Sequence, residues 1–316
     1  MNPKRILNSI FKSNPYQMSN ISKLHQRVKS YGISRKVCED FLSSKPSYTL
    51  HRVQPRKFRR LNILSCGPRN IIGGDIAELP KLAKSNENVR YLVIFIDIFS
   101  KYAVVIPSKK KAGNVISEIL DKAFSLECFR GSTHFFTDEG VEYLSQSAQK
   151  IYRKHGIKQY STYNTVIKSS ISERFIRTLK TYIHRYLTYF NTNRYIDVLN
   201  EIVQQYNKST HSTLSDSPEN VHFRYDKDRI QKLFKKMYTP KSISCKSNFK
   251  VGDKVRITSA DSDRVFQKGY LIRNTHEIFY IQKVSCIQGI NQYSLRDQSH
   301  SPIIGRFYKQ ELIKVQ

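Results

Sequence analysis

The chain contains no tryptophan and is short of acids: over its 316 residues, 25 Asp plus Glu stand against 54 Lys plus Arg, a formal charge of +29. Such an excess repels itself in a compact state unless a polyanion is close by, so nucleic acid is the natural partner and an anionic membrane surface the rival. The rival is poorly supported. No Lys/Arg-rich amphipathic helix exposes Trp or Phe, and no apolar stretch approaches the length of a membrane span. The opening "MNPKRILNSIFK" is basic but has neither a long apolar run nor a small-residue cleavage site, so no secretory signal is expected. Cysteine is sparse as well. Cys38, Cys66, Cys128, Cys245 and Cys286 are dispersed, with no CxxC or HxxxH, which suggests reduced thiols and no structural zinc.

What is present changes character along the chain. Residues 1–66 hold 14 Lys/Arg and two acids and are the most basic part by density. "SNISKLHQRVKSYG" and "SRKVCEDFLSS" read as two short helices, the first capped by Ser19 or Asn20 and ended by Gly32, the second capped by Ser34. With the extended "SYTLHRV" behind them they fit a helix-turn-helix or winged unit, and equally a plain helical hairpin. "VQPRKFRR", carrying Arg56, Lys57, Arg59 and Arg60, is a basic linker suited to a phosphate backbone. From residue 67 to about 240, strands come first. "IIGGDIAEL", then "RYLVIFIDIF" and "KYAVVIP" turning at Ser100-Lys101, are followed by alternating helices and strands, so a mixed sheet with helices packed on it is expected. Residues 246–316 are all short strands: "FKVGDKVRIT", "EIFYIQKVSCI", "QYSLRD" and "IIGRFYKQELIKV" suggest a small barrel of SH3 or chromo type.

In so basic a protein the placing of the acids is informative. Asp75 lies mid-strand in "GGDIAE", Asp138 ends the buried strand "THFFTD", and Glu173 lies in the first turn of the helix "SSISERFIRTLKTYIHRY". A carboxylate in an apolar sheet is costly unless it is paired or binds a cation. Three carboxylates converging from two strands and a helix suit two Mg²⁺ or Mn²⁺ ions, which prefer hard oxygen ligands and clamp the attacking and leaving oxygens of an in-line phosphoryl displacement. On the same helix, Glu173, Arg177, Lys180 and His184 project within a wedge of roughly 60°, while Phe175, Leu179, Tyr182, Ile183, Tyr186 and Phe190 cover the other side. That wedge is either an ordinary solvated face or one wall of a phosphate-binding groove.

These residues reach a family. "GGDIAEL", "YLVIFIDIFSKYAVVIPSKKKAGNV", "FFTDEGVEYLS", "HGIKQYSTYNTVIKSSISERFIRTLK" and "YNKSTHSTLSDSPENV", in that order, resemble the catalytic core of retroviral-type integrases and related D,D,E transposases. The tail "FKVGDKVRI", "FQKGYLIRNTHEIFYIQKV" and "GRFYKQELIKV" resembles the C-terminal module of integrases from Maverick/Polinton elements, relatives of virophages. The resemblance implies an RNase H-like core over residues 67–240, a helical DNA-binding region over 1–66 and an SH3/chromo-like β-barrel over 246–316. It implies Asp75, Asp138 and Glu173 as the metal-binding catalytic triad, with Arg177, Lys180, His184 and Lys168 on DNA beside Arg56, Lys57, Arg59 and Arg60. It further implies a DNA integrase that processes 3′ ends and joins them to target DNA, with two Mg²⁺ or Mn²⁺ per site. Double-stranded DNA and further copies of the chain are the expected partners, chromatin an additional one, and the nucleus or the element's replication site the expected location.

Three departures accompany the likeness. Thirty-four residues lie between Asp138 and Glu173, one fewer than the commonest spacing. Ser172 stands where the family often has an apolar residue, and Ile176 where it often has Asn. The N-terminal zinc motif of retroviral integrases is missing, so zinc-dependent assembly is not implied. Asp97, in "FIDIFS", is read as a structural cap of the hairpin turn. Tyr270, Phe279, Tyr280 and Tyr308 are either an aromatic cage for a cation or core of the barrel. The second reading of the whole chain is a transposon-derived DNA- or chromatin-binding protein that no longer catalyses.

Overall fold

The computed structural model describes residues 2–13, 20–54, 58–138, 140–161, 170–239, 247–258 and 272–316. The chain forms two compact units, Met1–Leu61 together with Pro240–Gln316, and Asn62–Thr239.

The first unit opens with α1 (Pro3–Ser13), a helix whose apolar residues Ile6, Leu7, Ile10 and Phe11 join the local core and which the sequence reading left out. It continues with α2 (Ile21–Val28) and α3 (Arg35–Ser43). Asn20 caps α2 by accepting from Ser22 N at 2.8 Å, and Ser34 caps α3 by accepting from Val37 N. Gly32 ends the turn after α2 at φ 69°, a left-handed conformation that favours glycine. The stretch expected to be extended instead begins with a helical turn, α4 (Pro46–Thr49). Pro46 occupies its first position, where a missing N–H costs nothing, and Tyr48 N and Thr49 N both donate to Lys45 O.

The second unit is built on a five-stranded sheet of order β3-β2-β1-β4-β5. Its strands are β1 (Ile71–Glu78), β2 (Tyr91–Asp97), β3 (Ala103–Ser108), β4 (His134–Thr137) and β5 (Lys158–Ser161). The first three run antiparallel; β4 is parallel to β1, and β5 to β4. This is the mixed α/β core expected. β2 is buried on both faces, which is why it reads as an unbroken apolar run. Val93 and Phe95 face α5 (Gly113–Ser125), α6 (Val141–Leu144) and α7 (Gln146–His155), whereas Leu92, Ile94 and Ile96 face α8 (Ser170–Tyr189) and α9 (Leu199–Lys208). Phe175, Leu179, Ile183 and Leu187 form the buried side of α8. Phe190, expected on that side, is 59% exposed; it lies just past the end of α8, its ring 4.7 Å from that of Tyr186. α10 (Pro218–Phe223) and α11 (Lys227–Tyr238) close a smaller core around Phe99, Leu214, Val221 and Leu233.

The remaining strands return to the first unit: β6 (Lys254–Ile257), β7 (Phe279–Ile287), β8 (Ile290–Arg296), β9 (Pro302–Tyr308) and β10 (Leu312–Val315) make an antiparallel sheet of order β10-β6-β7-β8-β9. "IIGRFYKQELIKV" is thus two strands. A helical turn at Lys309–Glu311 divides them, and Glu311 Oε2 accepts from Tyr308 N at 2.9 Å. Phe279 and Tyr308 are buried and do not line a cage; Tyr270 lies outside the described residues. Side chains of this sheet region satisfy the α4 turn. Asn274 Nδ2 donates to Thr49 O at 2.7 Å and Arg52 O at 3.0 Å, and Arg256 Nε donates to Thr49 Oγ1 at 3.2 Å. Cys38, Cys66 and Cys128 are free, but Cys286 is disulfide-bonded, so the expectation of reduced thiols throughout fails there. Among the described residues no helix is long and apolar enough to cross a membrane.

Candidate active site and nucleic-acid interface

Asp75 sits on the central strand, paired with Ile94 of β2. On the other side, β1 and β4 pair in parallel through Ile71–His134, Ile72–Phe135 and Gly73–Phe136. Two residues further along each strand lie Asp75, still within β1, and Asp138, just past the end of β4. Residues in register on parallel strands point to the same face. The face is fixed by the glycine two residues earlier. A Cβ on Gly73 would lie 3.0 Å from Ser172 Oγ, so Gly73 looks toward the first turn of α8, and Asp75 shares its side. Glu173 is the residue after Ser172. Ser172, one of the departures, is fully buried, with its Oγ facing Gly73.

The three predicted carboxylates therefore come to one end of the sheet, on the side of α8. Asp75 is half-buried, with Oδ1 accepting from Ile76 N at 2.8 Å; Asp138 is exposed, with Oδ1 accepting from Gly140 N at 3.3 Å; Glu173 is exposed. They do not form a ready metal cage: among the described residues no group of three His, Cys, Asp or Glu side chains is close enough to hold an ion. The donor set itself is all carboxylate, which fits a hard divalent cation.

Neighbouring charges that the sequence did not single out add to this end of the sheet. Lys111 Nζ lies 3.2 Å from the buried carboxylate of Glu142 and 3.9 Å from Glu78. Burial opposes its charge, but Glu142, Glu78 and Asp138 together hold the ammonium above its usual range. A Cβ on Gly140 would stand 2.7 Å from Glu142 Oε1, so that carboxylate would have to shift.

The wedge on α8 lines one open groove of about 800 Å³, which takes in Glu173, Arg177, Lys180 and His184. Arg59 and Arg60 belong to the other unit. Arg60 stacks over Phe58 at 4.3 Å, and Arg59 borders a polar recess with Asn291 and Lys309. Lys168, Arg56 and Lys57 lie outside the described residues.

Asp97 does cap its turn. Oδ1 accepts from Ser100 N and Ser100 Oγ at 2.6 and 2.8 Å, and Oδ2 accepts from Arg69 N at 2.6 Å. Ser100 Oγ also meets His222 Nδ1 at 2.9 Å, and His222 Nε2 meets Cys128 O at 2.7 Å. This is no hydrolytic triad: the serine stands between acid and imidazole rather than beside the imidazole alone, and Asp97 and Ser100 are wholly buried. Lys101, next in the chain, is buried with Nζ donating to Ile98 O, and burial lowers its pKa to about 8.

No family model matches the chain. Among curated proteins it is 31% identical over 202 residues to the putative uncharacterized transposon-derived protein F54H12.3 of Caenorhabditis elegans, covering 64% of this chain and 65% of that one. The chain thus spans just under two thirds of that relative. Among solved structures it is similar to a chain of the simian T-cell lymphotropic virus intasome in complex with PP2A regulatory subunit B56 gamma, at a TM-score of 0.66 and 15% identity, over 94% of this chain and 99% of that one. A weaker likeness, TM-score 0.41 and 20% identity over 50% of this chain and 99% of that one, is to the HTLV-2 integrase catalytic core domain in complex with magnesium. The chain shares its fold with that intasome chain, and the curated relative is transposon-derived.

Proposed function

We propose that this chain is a DNA integrase of a mobile element, a polynucleotidyl transferase that trims 3′ ends and joins them to target DNA. The observation that supports the reading is the parallel register of β1 and β4, which runs to Gly73–Phe136, two residues before Asp75 and Asp138, with Gly73 facing Ser172, the residue before Glu173. Asp75, Asp138 and Glu173 would hold the divalent cations, Mg²⁺ or Mn²⁺, which when bound would supply charge stabilisation for an in-line displacement at phosphorus. In the first reaction water displaces the terminal nucleotides and leaves a 3′-hydroxyl. In the second, that hydroxyl displaces a 3′-oxygen of the target, so one phosphodiester replaces another and no external energy source is needed. Arg177, Lys180 and His184 lie along the groove from Glu173 and take the phosphates of the strand running away from the reacting end. Arg56, Lys57, Arg59 and Arg60 of the linker, and Lys168, add sequence-independent phosphate contacts and hence steep salt dependence.

Joining two element ends requires at least two copies of the chain, and the reaction belongs where the element meets host DNA, in the nucleus or at a replication site. The motifs of the C-terminal tail favour the Maverick/Polinton group. The second reading, a DNA- or chromatin-binding derivative without catalysis, is favoured by one observation: the three carboxylates do not stand within metal-sharing distance. Mg²⁺-dependent strand transfer on an end oligonucleotide separates the two. Products longer than either input strand, lost in Glu173→Gln and Asp75→Asn, are expected of an integrase. Binding without joining in the parent sinks that reading in favour of the binder, and cutting without joining reduces it to a nuclease.

A further inference from the structure

The basic stretch between the two units is strapped to the C-terminal sheet. Gln54 Nε2 donates to Leu312 O at 2.9 Å, Leu61 N donates to the Tyr308 hydroxyl at 3.0 Å, and the Phe58 ring meets the Tyr308 ring edge-on at 5.4 Å. Tyr308 is wholly buried at the end of β9, so its ring and hydroxyl are fixed points. Arg59 therefore lies between two residues tied to one anchored side chain, and is itself exposed.

Lys309 follows Tyr308 directly. Arg59 and Lys309, far apart in the chain, thereby border one recess of about 260 Å³, completed by Asn248, Asn291 and Gln310 among others. None of the described residues lining it is acidic. Glu311, two residues after Lys309, is buried, and its Oε2 accepts from Tyr308 N at 2.9 Å. Two cations around a polar hollow without an acid create a positive potential that favours an anion. A guanidinium fork beside an ammonium suits the oxygens of a phosphate, and the side-chain amides carry further N–H donors. The hollow is smaller than the ~300–1,000 Å³ of an organic-ligand pocket and mostly polar, so its size and chemistry suit a single charged group rather than a cofactor. Because Tyr308 holds the chain on both sides of Arg59, less freedom is lost when an anion binds.

We propose that this recess seats one phosphodiester of duplex DNA, shared by Arg59 and Lys309, at a binding site that takes no part in the chemistry. Such a site neutralises a phosphate without reading a base, so it adds affinity to element ends and arbitrary sequences alike. The proposal rests on the reading of DNA as the partner given above, and not on metal binding or catalysis.

The test is binding of the full chain to a fluorescein-labelled duplex of arbitrary sequence, followed by anisotropy in EDTA over a series of NaCl concentrations. Arg59 and Lys309 are exposed, so substituting them should leave the thermal midpoint unchanged. The slope of log Kobs against log[NaCl] should be shallower by about 0.9 when Arg59→Gln and Lys309→Gln are combined, the release expected of one phosphate. From about 50 to 200 mM NaCl that is about a 3–4-fold smaller loss of affinity than the parent shows. Arg59→Lys combined with Lys309→Arg keeps both charges and should keep the parent's slope. Lys36→Gln removes a charge from the same unit, but from an ammonium paired with Asp40 at 3.1 Å, and should keep it too. A double Gln variant with the parent's slope overturns the proposal and leaves DNA binding standing. A loss of about twice 0.9 means two separate contacts and overturns the shared seat. An equal fall in Lys36→Gln means diffuse net charge and overturns it as well. A parent that does not bind the duplex overturns both the recess and the DNA reading.

Discussion

Gly74→Ala is a small change with a large expected effect. The new Cβ would stand 2.2 and 2.7 Å from two carbons of the Phe135 ring and 3.1 Å from Thr137 Cγ2. Non-bonded carbons sit at about 3.5–4.0 Å, so either the ring retreats by roughly 1.3–1.8 Å or β1 bows by a similar amount. The ring has nowhere to go: Phe124 lies 5.2 Å away centroid to centroid, Tyr143 5.8 Å, and Phe95 and Tyr152 5.9 Å each. Overpacking of a tight core costs about 1–3 kcal/mol, and a rigid ring hemmed in by four others puts this site at the upper end, near 3 kcal/mol. In a unit of 150–250 residues that is a fall in Tm of about 6–12 °C. Urea unfolding of Gly74→Ala, Phe135→Leu and the double variant checks the cause as well as the size. A smaller residue at 135 should make room, so the double variant should be more stable than the two single losses predict, by about 0.5–3 kcal/mol. Strand transfer should fall too, because a bowed β1 moves Asp75. A Gly74→Ala protein within about 0.5 kcal/mol of the parent, or a cycle that simply adds, would refute the close approach of strand and ring.

Ser100→Ala removes a partner from Asp97 Oδ1, His222 Nδ1 and Tyr102 N at once; a loss of about 2–4 kcal/mol by urea unfolding is expected from leaving buried polar groups unpaired. Burial holds the His222 pKa below its ordinary 6.5, with Arg69 adding to the effect against Asp97 and the Cys128 carbonyl. The unfolded chain therefore takes up the proton first, stability is lost as pH falls through 6.5, and His222→Gln should show a shallower acid loss between pH 7.5 and 5. Lys101 behaves in the same sense at higher pH: with a folded pKa of about 8 against 10.5, stability should rise as pH climbs through 8. The rise, up to about 3 kcal/mol by pH 10, should be missing in Lys101→Met. Arg256→Met strips the bonds to Thr49 Oγ1 and Thr275 O, and hydrogen exchange should quicken in the α4 turn as well as around β6.

Much of the fold was legible because burial leaves a periodic trace. The two-faced apolar run of β2, the caps at Asn20 and Ser34, and the left-handed end at Gly32 are local chemistry, and the structure has them where the residues call for them. One reading went astray and two stopped short for lack of non-local information. "SYTL" has strand-like residues, yet Pro46 and the carbonyl of Lys45 wind it into a turn whose carbonyls Asn274 then satisfies. The C-terminal aromatics were left open between a cage and a core; Tyr308 is buried, with Leu61 N donating to its hydroxyl. Asp97 was recognisable as a turn cap, but its link through Ser100 to His222, 122 residues further on, leaves no mark in spacing.

For the candidate site the division is similar. An acid in the middle of an apolar strand, another at a strand end and a third in the first turn of a basic helix can be picked out of the amino-acid order alone, because each is costly or conspicuous in its own surroundings. Composition likewise sets the charge that calls for a polyanion. Which face of β1 Asp75 occupies, that β4 pairs with β1 in parallel, and that Lys111 and Glu142 meet near that end of the sheet were decided only by tertiary structure. Pairing register and face are properties of two segments meeting. They are fixed by the rings and glycines that let those segments approach, not by either segment read by itself.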